Sequence, residues 1–148
     1  MVRFRRLTHH WIRQESLWHL ISEDEAKIIR EFWAETARNM PDWQLLTQGK
    51  VSAAELRSGY VNSHTNLLNA LGIVGNILIK EYPNDWKTKI SELKRINWSR
   101  DNEEWEGRLL QKGRMIKTKL GIELAVNTIL KKCGIALSPE RLEFENRT

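Results

Sequence analysis

The segment Val61–Tyr82 restricts the possible architecture more than any other part of the chain. From Leu67 to Ile79 it is apolar on almost every side. Leu68, Leu71, Gly75 and Leu78 form one helical stripe, and Leu67, Ala70, Val74 and Ile77 form another beside it. A helix that is apolar around most of its circumference has to be covered by neighbours. At this length it would reach ~30 Å, about the width of a small domain. Its polar residues, Asn62, Asn66, Asn69, Asn76 and Lys80, fall on one narrow line interrupted by Ile73. The expected architecture is all-α: a single-domain bundle of about five to seven helices around a buried central helix at about residues 60–82.

Punctuation along the chain supplies the other helices. Ser22-x-x-Glu25 is a capping box, in which hydroxyl and carboxylate each satisfy a free backbone N–H. Ile28, Ile29, Phe32, Trp33, Thr36, Ala37 and Met40 follow at helical spacing, and Pro41 stops the run. Residues 40–50 read as a connection that could hold one turn of helix. Ser52-x-x-Glu55 is a second capping box and opens a short helix to about Arg57. Gly59 bends the chain into the central helix, where Gly72 and Gly75 are explained by another helix crossing closely. Pro83 ends that helix. Asn84 or Asp85 caps the next, whose apolar face is Trp86, Ile90, Leu93 and Ile96.

Ser99 is expected to cap a short helix ending at Gly107, with Trp98 and Trp105 straddling it. A basic loop, Leu109–Lys119, then turns at Gly113. The last substantial helix is Leu120–Lys132, with Leu120, Leu124, Ile129 and Leu130 inward, and Ser138-Pro139-Glu140 begins a final short one. The helical domain spans 22–145. Residues 1–21 form a basic N-terminal arm or a helix docked through Trp11 and Trp18, and 146–148 are expected to fray.

Several chemistries are disfavoured. The single cysteine, Cys133, permits no disulfide within the chain, fits a cytoplasmic location and reads as a buried apolar residue. No signal peptide is recognised, and the central apolar run is broken by Asn69 and Asn76 and is short for a membrane span. His9 and His10 are adjacent and point to different sides of a helix, while Asp101, Glu103, Glu104 and Glu106 diverge without a partner histidine; neither set suits a metal. Glu31 and Glu35 sit among Lys27, Arg30 and Arg38 as a solvated face. His64, on the stripe of Leu68 and Leu71, reads as a hydrogen-bonded core residue, or else as a polar group at a pocket mouth with Ser63 and Thr65. No phosphate loop, zinc spacing or nucleophile elbow occurs, so neither an enzyme nor a bound cofactor is expected.

Charge is more informative. The net charge of +5 is polarised. Arg3, Arg5, Arg6 and Arg13 stand against Glu15 alone at the start, and residues 108–132 hold seven cations against Glu123 alone. Such a balance suits a polyanion, with duplex DNA first. Phosphate contacts are expected from Arg100, Arg108, Arg114, Lys117 and Lys119, joined by Lys131 and Lys132. The line of Asn62, Asn66 and Asn69 could bond adenine edges only if exposed, and inter-helix hydrogen bonds are preferred. Seven tryptophans exceed what a core this small needs. Trp11, Trp18 and Trp98 are therefore candidates for a dimer or partner surface.

One group of segments carries a resemblance. Trp43-Gln44-Leu45, Val61-Asn62-Ser63-His64, Ala70-Leu71-Gly72-Ile73-Val74-Gly75-Asn76, Asp85-Trp86, Asn97-Trp98-Ser99-Arg100-x-Asn102 and Trp105-Glu106-Gly107-Arg108 occur in order over about residues 30–140. Together they resemble the carboxy-terminal half of the DNA sulfur-modification protein B family. The family's amino-terminal Asp-Gly-Gln-His-Arg motif is absent. The resemblance implies a regulator that binds promoter DNA of a phosphorothioation gene cluster, rather than the sulfur-transfer enzyme. The alternative is a non-catalytic interaction or dimerisation module of the same system, with itself or the cluster's proteins as partner.

Overall fold

The computed structural model describes residues 21–148. The expectations for Trp11, Trp18, His9, His10 and the N-terminal arm lie outside them. Among the described residues seven helices are joined by one small hairpin.

Helix α1 (Glu23–Arg38) begins at the anticipated capping box: the Ser22 hydroxyl accepts from the Glu25 amide at 3.1 Å, and the Glu25 carboxylate accepts from the Ser22 amide at 3.0 Å. Pro41 ends this run and also opens α2 (Pro41–Thr47). The first turn of a helix has no use for the N–H that proline lacks, so the connection expected over 40–50, with room for one turn, instead holds a seven-residue helix. The second capping box starts α3 (Ala53–Gly59), where the Ser52 amide and hydroxyl hold the Glu55 carboxyl below its ordinary range.

The central helix α4 covers Thr65–Glu81, not 60–82. Its shorter start has a tertiary cause. The chain leaves α3 extended at Tyr60, which pairs with Ser99: the Val61 amide donates to the Trp98 carbonyl at 2.9 Å, and the Arg100 amide to the Gly59 carbonyl at 3.0 Å. Those bonds compete with helical ones, so α4 begins only after His64. Leu67, Ala70, Leu71, Val74 and Leu78 are fully buried. Removing that apolar surface from water is the main drive for the fold. The close crossing expected at the glycines is met at Gly75, where a β-carbon would lie 2.5 Å from the Phe32 ring of α1.

Helix α5 (Trp86–Ile90) continues as a 3₁₀ turn, Ser91–Arg95. Trp86, Ile90, Leu93 and Ile96 are all buried, as their spacing anticipates. A hairpin follows, β1 (Leu110–Gln111) and β2 (Arg114–Met115), with Leu110 opposite Met115. Helix α6 (Lys119–Lys132) packs along α4, and the short α7 (Pro139–Glu145) lies on α6. Residues 146–148 continue in hydrogen-bonded turns, with the Arg147 amide donating to the Phe144 carbonyl at 3.2 Å.

Gly121, in the first turn of α6, has the tightest clearance. A β-carbon there would stand 2.2 Å from the Arg108 carbonyl oxygen and 2.8 Å from the Thr118 hydroxyl. The obstructing oxygen is backbone and cannot swing aside. Alanine favours helix by ~1 kcal/mol over glycine, but overpacking costs about 1–3 kcal/mol or more. With a backbone atom at 2.2 Å the upper end of that cost applies, and Gly121→Ala is expected to destabilise by a net ~2 kcal/mol. Denaturant midpoints measure this, and an equal or higher midpoint would contradict the packing.

Candidate nucleic-acid interface

The loop from Asn97 to Arg108 is a self-bonded scaffold. The anticipated helix 99–107 does not form; a single 3₁₀ turn, Glu103–Trp105, is capped by Asn102 instead of Ser99. Side chains that bond nearby backbone favour turns over helix. Here the Asn97 Oδ1 accepts from the Ser99 amide at 3.0 Å, the Ser99 hydroxyl from the Asp101 amide at 3.2 Å, and the Asn102 Oδ1 from the Glu104 amide at 3.2 Å. The Asn97 carbonyl accepts from both Asn102 Nδ2 and Trp105 Nε1 at 2.9 Å.

Trp98 and Trp105 stack with centroids 5.4 Å apart and planes 10° from parallel. Trp98 is 2% exposed and donates to the Leu93 carbonyl, so it offers no partner surface.

This scaffold presents the hairpin. Its turn residues, Lys112 and Gly113, both have positive φ, 50° and 71°, the conformation that suits a two-residue hairpin turn. A lysine there is unusual and is held from outside. The Glu106 carboxylate accepts from the Lys112 and Gly113 amides, and Arg100 Nη2 donates to the Gly113 carbonyl at 2.9 Å. Asn66 Nδ2 donates to the Ile116 carbonyl, tying the hairpin exit to α4. His64, the residue before α4, bonds through Nε2 to the Arg57 carbonyl at 2.9 Å, so it serves as a hydrogen-bonded local tie.

The candidate cations divide into two groups. Lys112, Arg114, Lys117 and Lys119 are exposed and make no ion pair among the described residues. No acidic residue occurs from 107 to 122. Arg100 braces their turn. Lys112, on the turn itself, is absent from the set expected from sequence; only the hairpin register singles it out.

The second group is committed elsewhere. Arg108 turns inward and grips Glu145 with both terminal nitrogens, at 3.0 and 2.8 Å, while also donating to the Leu124 carbonyl at 2.9 Å. Lys131 lies 3.6 Å from Glu145, and Lys132 pairs with Glu104 at 3.2 Å. Along a helix, Lys119 and Lys131 are separated by ~18 Å. The seven residues expected from sequence thus divide into cations free of ion pairs among the described residues, Arg100, Arg114, Lys117 and Lys119, and paired ones, Arg108, Lys131 and Lys132.

Arg108's hydrogen bonds hold the Glu145 carboxyl down at about 2, aided by Asn127 and Lys131 and opposed by burial. A carboxyl lowered from 4.5 stabilises the fold fully above that pH and ceases to do so as pH falls through about 2. The expected stability difference between the parent and Glu145→Gln, ~1 kcal/mol after solvent screening, shrinks across that window. Melting both proteins from pH 5 to pH 2 checks this, and a difference independent of pH would refute it.

Asn62 is fully buried and donates to Asp42, so it is not offered to bases. The Asn69 and Asn76 carbonyl oxygens are buried with no partner among the described residues. Cys133 is buried, and desolvation, with Glu92 nearby, pushes its thiol up to about 12. A nucleophilic cysteine needs the opposite shift. No described helix is long and apolar enough to cross a membrane.

The observed assembly is a small, mostly helical domain with one cationic hairpin displayed on a tryptophan-centred scaffold. The family model DndB, DNA-sulfur modification-associated, matches residues 4–136 of this chain. The chain belongs to that family. No curated protein and no solved structure gives a significant match.

Proposed function

We propose that this chain is a non-catalytic, DNA-associated regulatory domain of a phosphorothioation system, which touches the backbone of duplex DNA in the cluster's promoter region. The observation that supports the reading is the run Lys112, Arg114, Lys117 and Lys119: four exposed cations free of ion pairs among the described residues, on and just after a braced hairpin. Lysine and arginine on a rigid support neutralise phosphates and give affinity without choosing a sequence. Family membership supports the setting. In this reading the domain acts in the cytoplasm, and Arg100 positions the turn while the four cations make the contacts.

Salt dependence tests it. Four phosphate contacts predict a slope of about −3.6 in log K against log salt, so affinity for a short duplex should fall ~100-fold between about 50 and 200 mM salt. Anisotropy titrations read this directly. A flat response, with mass rising with protein concentration, would instead favour an interaction or dimerisation module.

A further inference from the structure

The carboxylate of Glu145 sits in a set of donors suited to a phosphate. Arg108 Nη1 and Nη2 reach it at 3.0 and 2.8 Å, Asn127 Nδ2 at 3.0 Å, and Lys131 Nζ lies 3.6 Å away. A guanidinium fork accepts carboxylate and phosphate with the same bidentate geometry. The receptor is built without Glu145. Arg108 is fixed independently by the Leu124 carbonyl, while the buried Asn127 also donates to the Arg141 carbonyl of α7 and accepts from the Arg141 guanidinium at 3.4 Å. Gly121, Leu124, Asn127 and Lys131 follow one another on a single face of α6, so the site continues from the hairpin base along that helix.

The carboxylate's carrier is held by polar bonds without a buried apolar anchor. Helix α7 has no buried side chain, and Leu142 is 48% exposed. Its hold on α6 is largely polar: Asn127 donates to the Arg141 carbonyl at 2.9 Å, and Arg141 pairs with Glu123 at 2.8 Å. The family match ends at residue 136, before α7 begins. Elements with few buried apolar contacts open at low free-energy cost.

We infer that α7 is an acidic latch whose Glu145 carboxylate fills, in cis, a second phosphate site formed by Arg108, Asn127 and Lys131, and that duplex DNA takes this site when the latch opens. This rests on the DNA-contact reading for its ligand, but not for the anion site itself. The site adds Arg108 and Lys131 to the hairpin cations, lengthening the footprint along α6.

The test uses the full chain with Glu145→Gln, which removes the charge and keeps the shape. Once circular dichroism shows the native fold, the variant should bind a short duplex ~10-fold tighter near 0.1 M salt, with a slope steeper by about 1–2. Adding Arg108→Gln should cancel the gain. Inorganic phosphate should shift the Arg108 side-chain nitrogen resonances in Glu145→Gln and leave the parent unchanged. If Glu145→Gln fails to fold, Arg141→Gln, which loosens α7 without touching Arg108, takes its place in the same comparisons.

Unchanged duplex affinity and a phosphate-silent Arg108, in a parent that binds DNA with the expected salt slope, overturn the latch and leave the hairpin reading standing. Phosphate shifts at Arg108 without duplex binding by any variant keep the anion site and remove DNA as its ligand.

Discussion

Trp105→Ala is expected to lose about 3–5 kcal/mol of unfolding free energy, the range for emptying a fully buried aromatic site. Trp105 has 0% exposure and is the largest fully buried side chain among the described residues. Its ring stacks on Trp98, a pairing worth about 0.5–1.5 kcal/mol beyond area alone. Its Nε1 bonds the Asn97 carbonyl, and its own carbonyl receives the Arg108 and Leu109 amides at 3.1 Å. The cavity would therefore open directly beneath the hairpin. Trp105→Phe keeps most of the stack and gives up the indole donor, for a loss closer to ~1–2 kcal/mol. Equilibrium denaturation of the two variants separates packing from the hydrogen bond. A loss under ~1 kcal/mol for Trp105→Ala would place this indole outside the core.

Replacing Lys112, Arg114, Lys117 and Lys119 together by Gln is expected to lower affinity for duplex DNA by at least ~100-fold at low salt and to flatten the salt slope to near zero. The fold should be unaffected. All four side chains are exposed, and none bonds another described residue. Surface substitutions of that kind stay within about 0.5 kcal/mol each. Arg100 and Arg108 are left intact here because the first braces the turn and the second is paired with Glu145 in the parent. Parent-like binding by a folded quadruple variant would remove the hairpin from the interface.

The helices were largely legible because their signals are local. Ser22-x-x-Glu25 and Ser52-x-x-Glu55 both form the reciprocal caps that their spacing implies. Trp86, Ile90, Leu93 and Ile96 are buried as periodicity puts them, as are Leu67, Ala70, Leu71, Val74 and Leu78 of α4, while Leu68 and Ile77 are half-buried. The departures have non-local causes. Residues 60–64 were expected to be helical, but Val61 bonds Trp98, which is distant in sequence. The 99–107 segment carries a serine that looks like a cap, yet its asparagines and indoles bond backbone in a pattern no helical period encodes.

The site was legible as charge but not as geometry. Counting cations places Arg108 and Lys112 alike in a basic run. Only the fold turns Arg108 onto Glu145 and puts Lys112 at an exposed turn with positive φ. Trp98 illustrates the same limit. An indole reads as a partner anchor or as core with equal ease, until its stacking mate is known.

The buried Cys133 bears on what this family member does with sulfur. Persulfide relays hand sulfur from thiolate to thiolate, and each carrier must ionise and be reached by its donor. The chain's lone thiol, at the C-terminal cap of α6, is 4% exposed, and burial pushes it up to about 12. In this fold Cys133 therefore lacks both properties that a sulfur carrier uses, exposure and ready ionisation.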